Sequence, residues 1–144
     1  WLPSDLPDQL FGIARWIKDF PSYNLAQPIA LNVSESWPKT EHDVIFSANT
    51  AHIMQPQEVE KMIASGAGSL PSRGLFCLYG PFMFENTALA KSNLKFNRKL
   101  QDLHPGMGIR KFDDLNVLAL AGSMKLLEIN SMPANNHLLV WQKI

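Results

Sequence analysis

The 144-residue sequence predicts a three-layer α/β sandwich: a mostly parallel sheet flanked by helices, with a reversed region at one edge. Three observations carry that prediction. Short apolar runs alternate with stretches of helical periodicity along most of the chain. The segment Asp43–Met54, DVIFSANTAHIM, has the length and β-branched content of a strand buried on both faces, the mark of a parallel sheet. The last two strand-like runs are joined only by Met132–His137, which suits an antiparallel return.

The elements follow in order. Trp1–Asp5 reads as the tail of a strand running into a turn, with Pro3 ending its ladder pairing and Ser4-Asp5 able to cap a helix. From Pro7 to about Phe20, Leu10, Phe11, Ile13, Ala14, Trp16 and Ile17 recur at helical spacing; Pro7 suits the first turn and Pro21 stops the helix. Pro28–Val33 is a short buried strand, and Ser34–Glu41 a polar loop around Trp37-Pro38. After the Asp43 strand, Asn49 and Thr50 either project into a ligand crevice with His52 or cap the following helix. That helix spans about Gln55 to Ala67, with Gly66 and Gly68 supplying left-handed C-cap conformations. Leu70–Gly74 is a turn and Leu75–Tyr79 a buried strand stopped by Gly80-Pro81. Phe82–Ala90 reads as a loop, Lys91–Leu103 as a helix broken by HPGMG, and Asp113–Ala121 as a helix closed by Gly122. Met124–Ser131 and Leu138–Ile144 are the final strands.

The totals bound the function classes. One domain over residues 1–144 is the natural reading of this length. Charges balance at 13 basic against 13 acidic with no basic block, which gives no handle for nucleic acid or an anionic membrane. No apolar run approaches the roughly 20 residues that span a bilayer. The single Cys77 excludes an internal disulfide, reads as core, and fits a cytoplasmic location. With no CxxC or HExxH, no metal is expected.

Polar residues stand at the carboxyl ends of successive strands: Asp5, Asn32, Asn49 and Tyr79. In open α/β sheets ligands bind outside those ends, and an acidic residue past the second strand of a nucleotide-binding sheet can accept ribose hydroxyls. Asp5 is equally a helix N-cap, and Asn32 reads adenine or satisfies a loop. No nucleophile–base–acid series, GxSxG or P-loop is present, and Cys77 lies mid-strand where a thiolate is unactivated. His52 is the candidate for proton transfer, with Tyr79 second; His104 and His137 read as surface loop residues.

The segments WLPSD, ALNVSESWP, DVIFSANTAHI, LYGPF, SNLKFNRKL with GMGIR, and SMPANNHLLVW resemble a class I S-adenosylmethionine-dependent methyltransferase-like family of the domain-of-unknown-function type. The resemblance runs in order over essentially all of the chain, and MPANN and YGP are its most specific segments. It implies a Rossmann-like seven-stranded sheet with the last strand antiparallel. It implies that Asp5 binds the cofactor ribose, that Asn32 and Val33 lie against the adenine, and that Asn49 lines the methionine end. Tyr79, Pro81, Ser92, Asn93, Arg98, Arg110, Asn135 and Asn136 would surround a small methyl acceptor, polar or carboxylate-bearing. The family commonly has Asp where Asn32 stands, so a charge is lost there.

The resemblance also implies a first strand, a helix and a glycine-rich cofactor loop before WLPSD, which this sequence lacks. The central place of that strand would then be filled by a longer chain, by a second copy or by another partner, and these 144 residues alone would bind cofactor weakly. A non-catalytic interaction module, or a cofactor-less remnant completed by a partner, is the alternative reading. A nicotinamide dehydrogenase is disfavoured by the missing YxxxK pair.

Overall fold

The computed structural model describes residues 1–40 and 42–144; Glu41, the last residue assigned to the polar loop, lies outside the described residues. The residues form two compact units, Trp1–Pro38 and Lys39–Ile144.

In the first unit β1 (Ser4–Asp5) pairs in parallel with β2 (Ile29–Ala30), in the register Ser4 to Ile29 and Asp5 to Ala30. Pro3 does not end the ladder as expected: only its N–H is missing, and its carbonyl accepts the Ile29 amide at 3.0 Å. A 3-10 turn over Pro7–Gln9 leads into α1 (Leu10–Asp19). Neither Ser4 nor Asp5 caps it: Leu6 holds the N-cap of the turn without a side-chain bond. The core stripe is Leu10, Ile13, Ala14 and Ile17, the i, i+3, i+4, i+7 pattern of an amphipathic helix, with Ile17 buried. Phe11 and Trp16 fall outside that stripe and are 80% and 66% exposed. Trp16 stacks on Phe20 instead, ring centres 5.3 Å apart.

The second unit holds a four-stranded sheet in the order β3-β4-β8-β7, with β3 (Val44–Ala48), β4 (Leu75–Gly80), β7 (Met124–Met132) and β8 (Asn136–Lys143). β3 and β4 are parallel, whereas β8 runs antiparallel to both β4 and β7. The reversed strand is therefore interior, not at the edge. Its burial explains the position: Leu139 and Trp141 are fully buried and need neighbours on both sides. Conversely, β3 is not buried on both faces. It is an edge strand on which Val44 and Phe46 are 49% and 43% exposed while Ile45 and Ser47 turn inward.

Helices α2 (Pro56–Gly68) and α4 (Phe112–Ala121) lie on the sheet face that carries Phe76, Leu78, Leu139 and Trp141. The start of α2 is set by a reciprocal capping box between Gln55 and Glu58, not by Asn49 or Thr50. The Thr50 hydroxyl pairs with Ser47 instead. Gly66 and Gly68 are right-handed residues inside the helix, and Ser69 is the C-cap. Gly66 is needed for a different reason. A Cβ there would overlap the buried Phe76 ring, 2.9 Å from its Cδ2, so the absence of a side chain lets α2 settle on the sheet.

α3 (Lys91–Leu103) begins and ends where the sequence predicts, and His104 ends it in an extended conformation. The segment expected to be a loop after Pro81 opens with β5 (Phe82–Met83), paired in parallel with β6 (Arg110–Lys111). Among the described residues no helix is long and apolar enough to cross a membrane.

Candidate functional site

Strand direction places the polar residues of the second unit. β3 ends at Ala48 beside Tyr79, Gly80 pairs with His137, and Met132 pairs with Asn136. Three strands therefore finish, and β8 begins, at one end of the sheet. The pleat then sorts side chains by face. Phe76–Trp141, Leu78–Leu139 and Gly80–His137 are cross-strand pairs on the helix-covered face, while Tyr79 and Leu138 point to the other.

On the helix-covered face the geometry centres on Gly80. A Cβ built there would stand 3.8 Å from His52 Nδ1, 3.9 Å from Asn49 Oδ1 and 3.7 Å from the Phe82 ring. The two polar atoms thus converge on one small recess. Asn49 reaches it from a left-handed conformation, φ 59°, directly after β3, with its amide N–H donated to the Tyr79 carbonyl at 2.8 Å. Strain of this kind gathers at ligand sites. His52 is only 7% exposed, and its ring nitrogens have no hydrogen-bond partner among the described residues. The imidazole is held edge-on to Phe96 at 5.2 Å, and its backbone carbonyl accepts Gly108 N–H at 2.9 Å. Burial first, and the Arg110 charge second, hold its pKa below the ordinary histidine value. His52 is therefore a neutral base near pH 7.

Arg110 acts as a clamp. Its Nε donates to Ala51 O at 2.9 Å, and its Nη2 donates to Met54 O and to Gly106 O. The two carbonyls on either side of His52 are thus tied to the HPGMG loop. Expected beside an acceptor, Arg110 spends its bidentate fork on backbone instead.

On the opposite face Asn136 Nδ2 donates to Tyr79 Oη at 3.2 Å and to Pro133 O. Next to it Asn93, 8% exposed, donates to Asn135 O at 3.2 Å, and Asn135 Nδ2 reaches Ser92 Oγ at 3.4 Å. Ala134 and Asn135 are both left-handed, φ 59°. The structure therefore brings Tyr79, Ser92, Asn93, Asn135 and Asn136 together, and separately Asn49 and His52. His52 and Tyr79 sit on different faces and do not form one relay. Pro81 is buried after β4, and Arg98 is exposed on α3.

Two features escaped sequence reasoning. Gly80 reads as a strand stop, and nothing in its neighbourhood marks it as the floor of a recess. His137, expected on a surface loop, is half-buried against Phe84 at 4.7 Å. Its Nδ1 is enclosed without a partner among the described residues, and burial lowers its pKa. Its place directly before the apolar run LLVW was the available signal.

In the first unit, Asp5 Oδ1 accepts Leu6 N–H at 2.7 Å, and Oδ2 has no donor among the described residues. Asn32 closes on its own turn: Oδ1 accepts Ser34 N–H at 3.0 Å, and Nδ2 donates to Glu35 at 3.1 Å. Val33 beside it is half-buried.

The sequence profile of the family described as "Protein of unknown function (DUF938)" matches residues 1–143. The chain belongs to the DUF938 family. Among solved structures, this DUF938 chain is similar to an O-methyltransferase family 2 protein from Planctomyces limnophilus DSM 3776 in complex with apigenin. The TM-score is 0.84 at 16% identity, covering 99% of this chain and 42% of that one. An O-methyltransferase family protein from Burkholderia thailandensis matches with TM-score 0.83 at 14% identity, covering 99% and 43%. PigF with SAH matches with TM-score 0.83 at 11% identity, again over 99% and 43%. These likenesses establish a methyltransferase-like, partial Rossmann-like α/β fold. The DUF938 chain spans about two-fifths of the length of those structures.

Proposed function

We propose that the chain is part of an S-adenosylmethionine-dependent methyltransferase acting on a small polar acceptor. The observation that carries this reading is the sheet order, with β8 reversed between β4 and β7, matched over 99% of the chain by an O-methyltransferase family protein. The sites support it. The free oxygen of Asp5 fits a ribose hydroxyl. Asn32 fits adenine only if its turn with Ser34 and Glu35 opens, which weakens that assignment. Bound S-adenosylmethionine would supply an electrophilic methyl group; the residues of this chain need only bind, orient and manage a proton. The lack of a catalytic triad does not count against such chemistry.

The cluster of Tyr79, Ser92, Asn93, Asn135 and Asn136 is assigned to the body of the acceptor. Its polar groups are amides and hydroxyls already ordered by one another, so little is lost when a ligand adds one more bond. The double variant Asn135→Ala, Asn136→Ala is expected to lower turnover at least tenfold while leaving S-adenosylmethionine affinity within about twofold. Calorimetry and a transfer assay on the same preparation check this, and unchanged turnover would sink the assignment.

One observation favours the second reading, an interaction module: α1 and its C-cap present Phe11, Trp16 and Phe20 to solvent. An obligate assembly with no cofactor affinity would select it.

A further inference from the structure

We propose that two copies of this chain pair through β7, antiparallel and edge to edge, so that their four-stranded sheets become one. The inference stands apart from the methyltransferase reading and concerns the sheet edge opposite β3. An edge strand carries a row of backbone amides and carbonyls with no ladder partner, and natural proteins keep such strands short or cover them. β7 is nine residues long, and among the described residues only β8 pairs with it. Leu126, Leu127 and Ile129 along it are 36%, 48% and 42% exposed, and α4, which packs on β7, leaves Leu120 exposed as well. A long edge with an apolar border is a template for another strand.

The charges decide which strand. Lys125 pairs with Gln142 and Glu128 with Val140, two positions on one face of β8. Three residues apart in sequence, Lys125 and Glu128 would fall on opposite faces of an unbroken strand. The bulge between Leu126 and Glu128 inserts one residue and brings both to the sheet face that carries Tyr79. Both are exposed, and neither has an ion-pair partner among the described residues.

Lys125 directly precedes the bulged pair Leu126-Leu127, and Glu128 directly follows it. An antiparallel copy turned about the bulge therefore sets Lys125 opposite the second copy's Glu128, and Glu128 opposite its Lys125. The leucines of the two bulges meet at the twofold axis, and every contact occurs twice, as in any isologous interface. Opposite charges directly across a ladder favour pairing. A lysine on an edge strand ordinarily discourages added strands; here the strand that answers it is its own copy. The other edge, β3, has no charged residue and offers Lys125 and Glu128 nothing.

Sedimentation equilibrium over a concentration series tests this, with the two charges reversed one at a time. The wild-type protein should approach twice the chain mass as concentration rises. Lys125→Glu and Glu128→Lys each turn two attractive pairs into two repulsive ones and should weaken association about tenfold or more. An equimolar mixture of the two variants re-forms both pairs, as does the double variant Lys125→Glu, Glu128→Lys, and each should regain most of the wild-type affinity. A strand that substitution had merely damaged would not be rescued by mixing. Wild-type protein that stays monomeric throughout the series would overturn the proposal. So would association that both single variants leave untouched, or a loss that neither the mixture nor the double variant restores.

Discussion

Trp141→Ala is expected to cost about 4 kcal/mol and to leave little folded protein at physiological temperature. Trp141 has no exposed surface, lies on the reversed strand opposite Phe76, and packs its ring 6.4 Å from that of Phe76. Its indole N–H donates to Asn116 Oδ1 at 3.0 Å, so truncation creates a large cavity and also orphans an amide in α4. Trp141→Phe should recover most of the packing and leave about 1 to 2 kcal/mol lost. The contrast is Trp16, 66% exposed on α1, where Trp16→Ala should stay within about 1 kcal/mol. Urea unfolding of the three variants measures all of this, and equal losses for Trp16→Ala and Trp141→Ala would contradict the described core.

Arg110→Met is expected to cost about 3 kcal/mol, because three carbonyls lose a charged donor at once. The same substitution changes the pH dependence. Folded His52 has a pKa below its unfolded value, so the unfolded state binds more protons below about pH 6.5. The stability it contributes is present above that pH and is lost as the pH falls through the window below it. His137 acts in the same direction. Removing Arg110 removes one of the two causes of the His52 shift and leaves burial, the larger. The acid-side loss should therefore become shallower in Arg110→Met without disappearing. Unfolding curves at intervals from pH 5 to pH 8 give both quantities. An unchanged acid loss in the variant would show that the Arg110 charge does not reach His52.

Much of the fold was legible where local signals and tertiary context agree. Lys91–Leu103 is a helix in both readings because its apolar spacing meets a strong breaker, HPGMG, at the end. MPANNH returns the chain because Ala134 and Asn135 adopt left-handed turns between two β-rich runs. The misreadings share a cause. Apolar residues suggest burial but not on how many faces: DVIF reads as a strand buried on both faces although β3 is an edge that exposes Val44 and Phe46, and helical spacing alone does not tell the buried Ile17 from the exposed Trp16. Gly66 carries two meanings, helix end or close contact, and only the Phe76 ring decides between them. At the site, the polar strand ends were visible, and Asn49, His52, Tyr79 and Asn136 all stand at one end of the sheet. Their division between two faces was not, because it follows from the register of β4 against β8. The role of Arg110 was also hidden, since a guanidinium bonded to backbone carbonyls looks like any other arginine in a sequence.

The most direct test of the methyltransferase account is transfer of a labelled methyl group from S-adenosylmethionine to small-molecule extract by the protein. The account predicts that label enters one or a few small compounds, and that Asn135→Ala with Asn136→Ala removes it. Cofactor binding without any transfer, or transfer that the double variant leaves untouched, would contradict it.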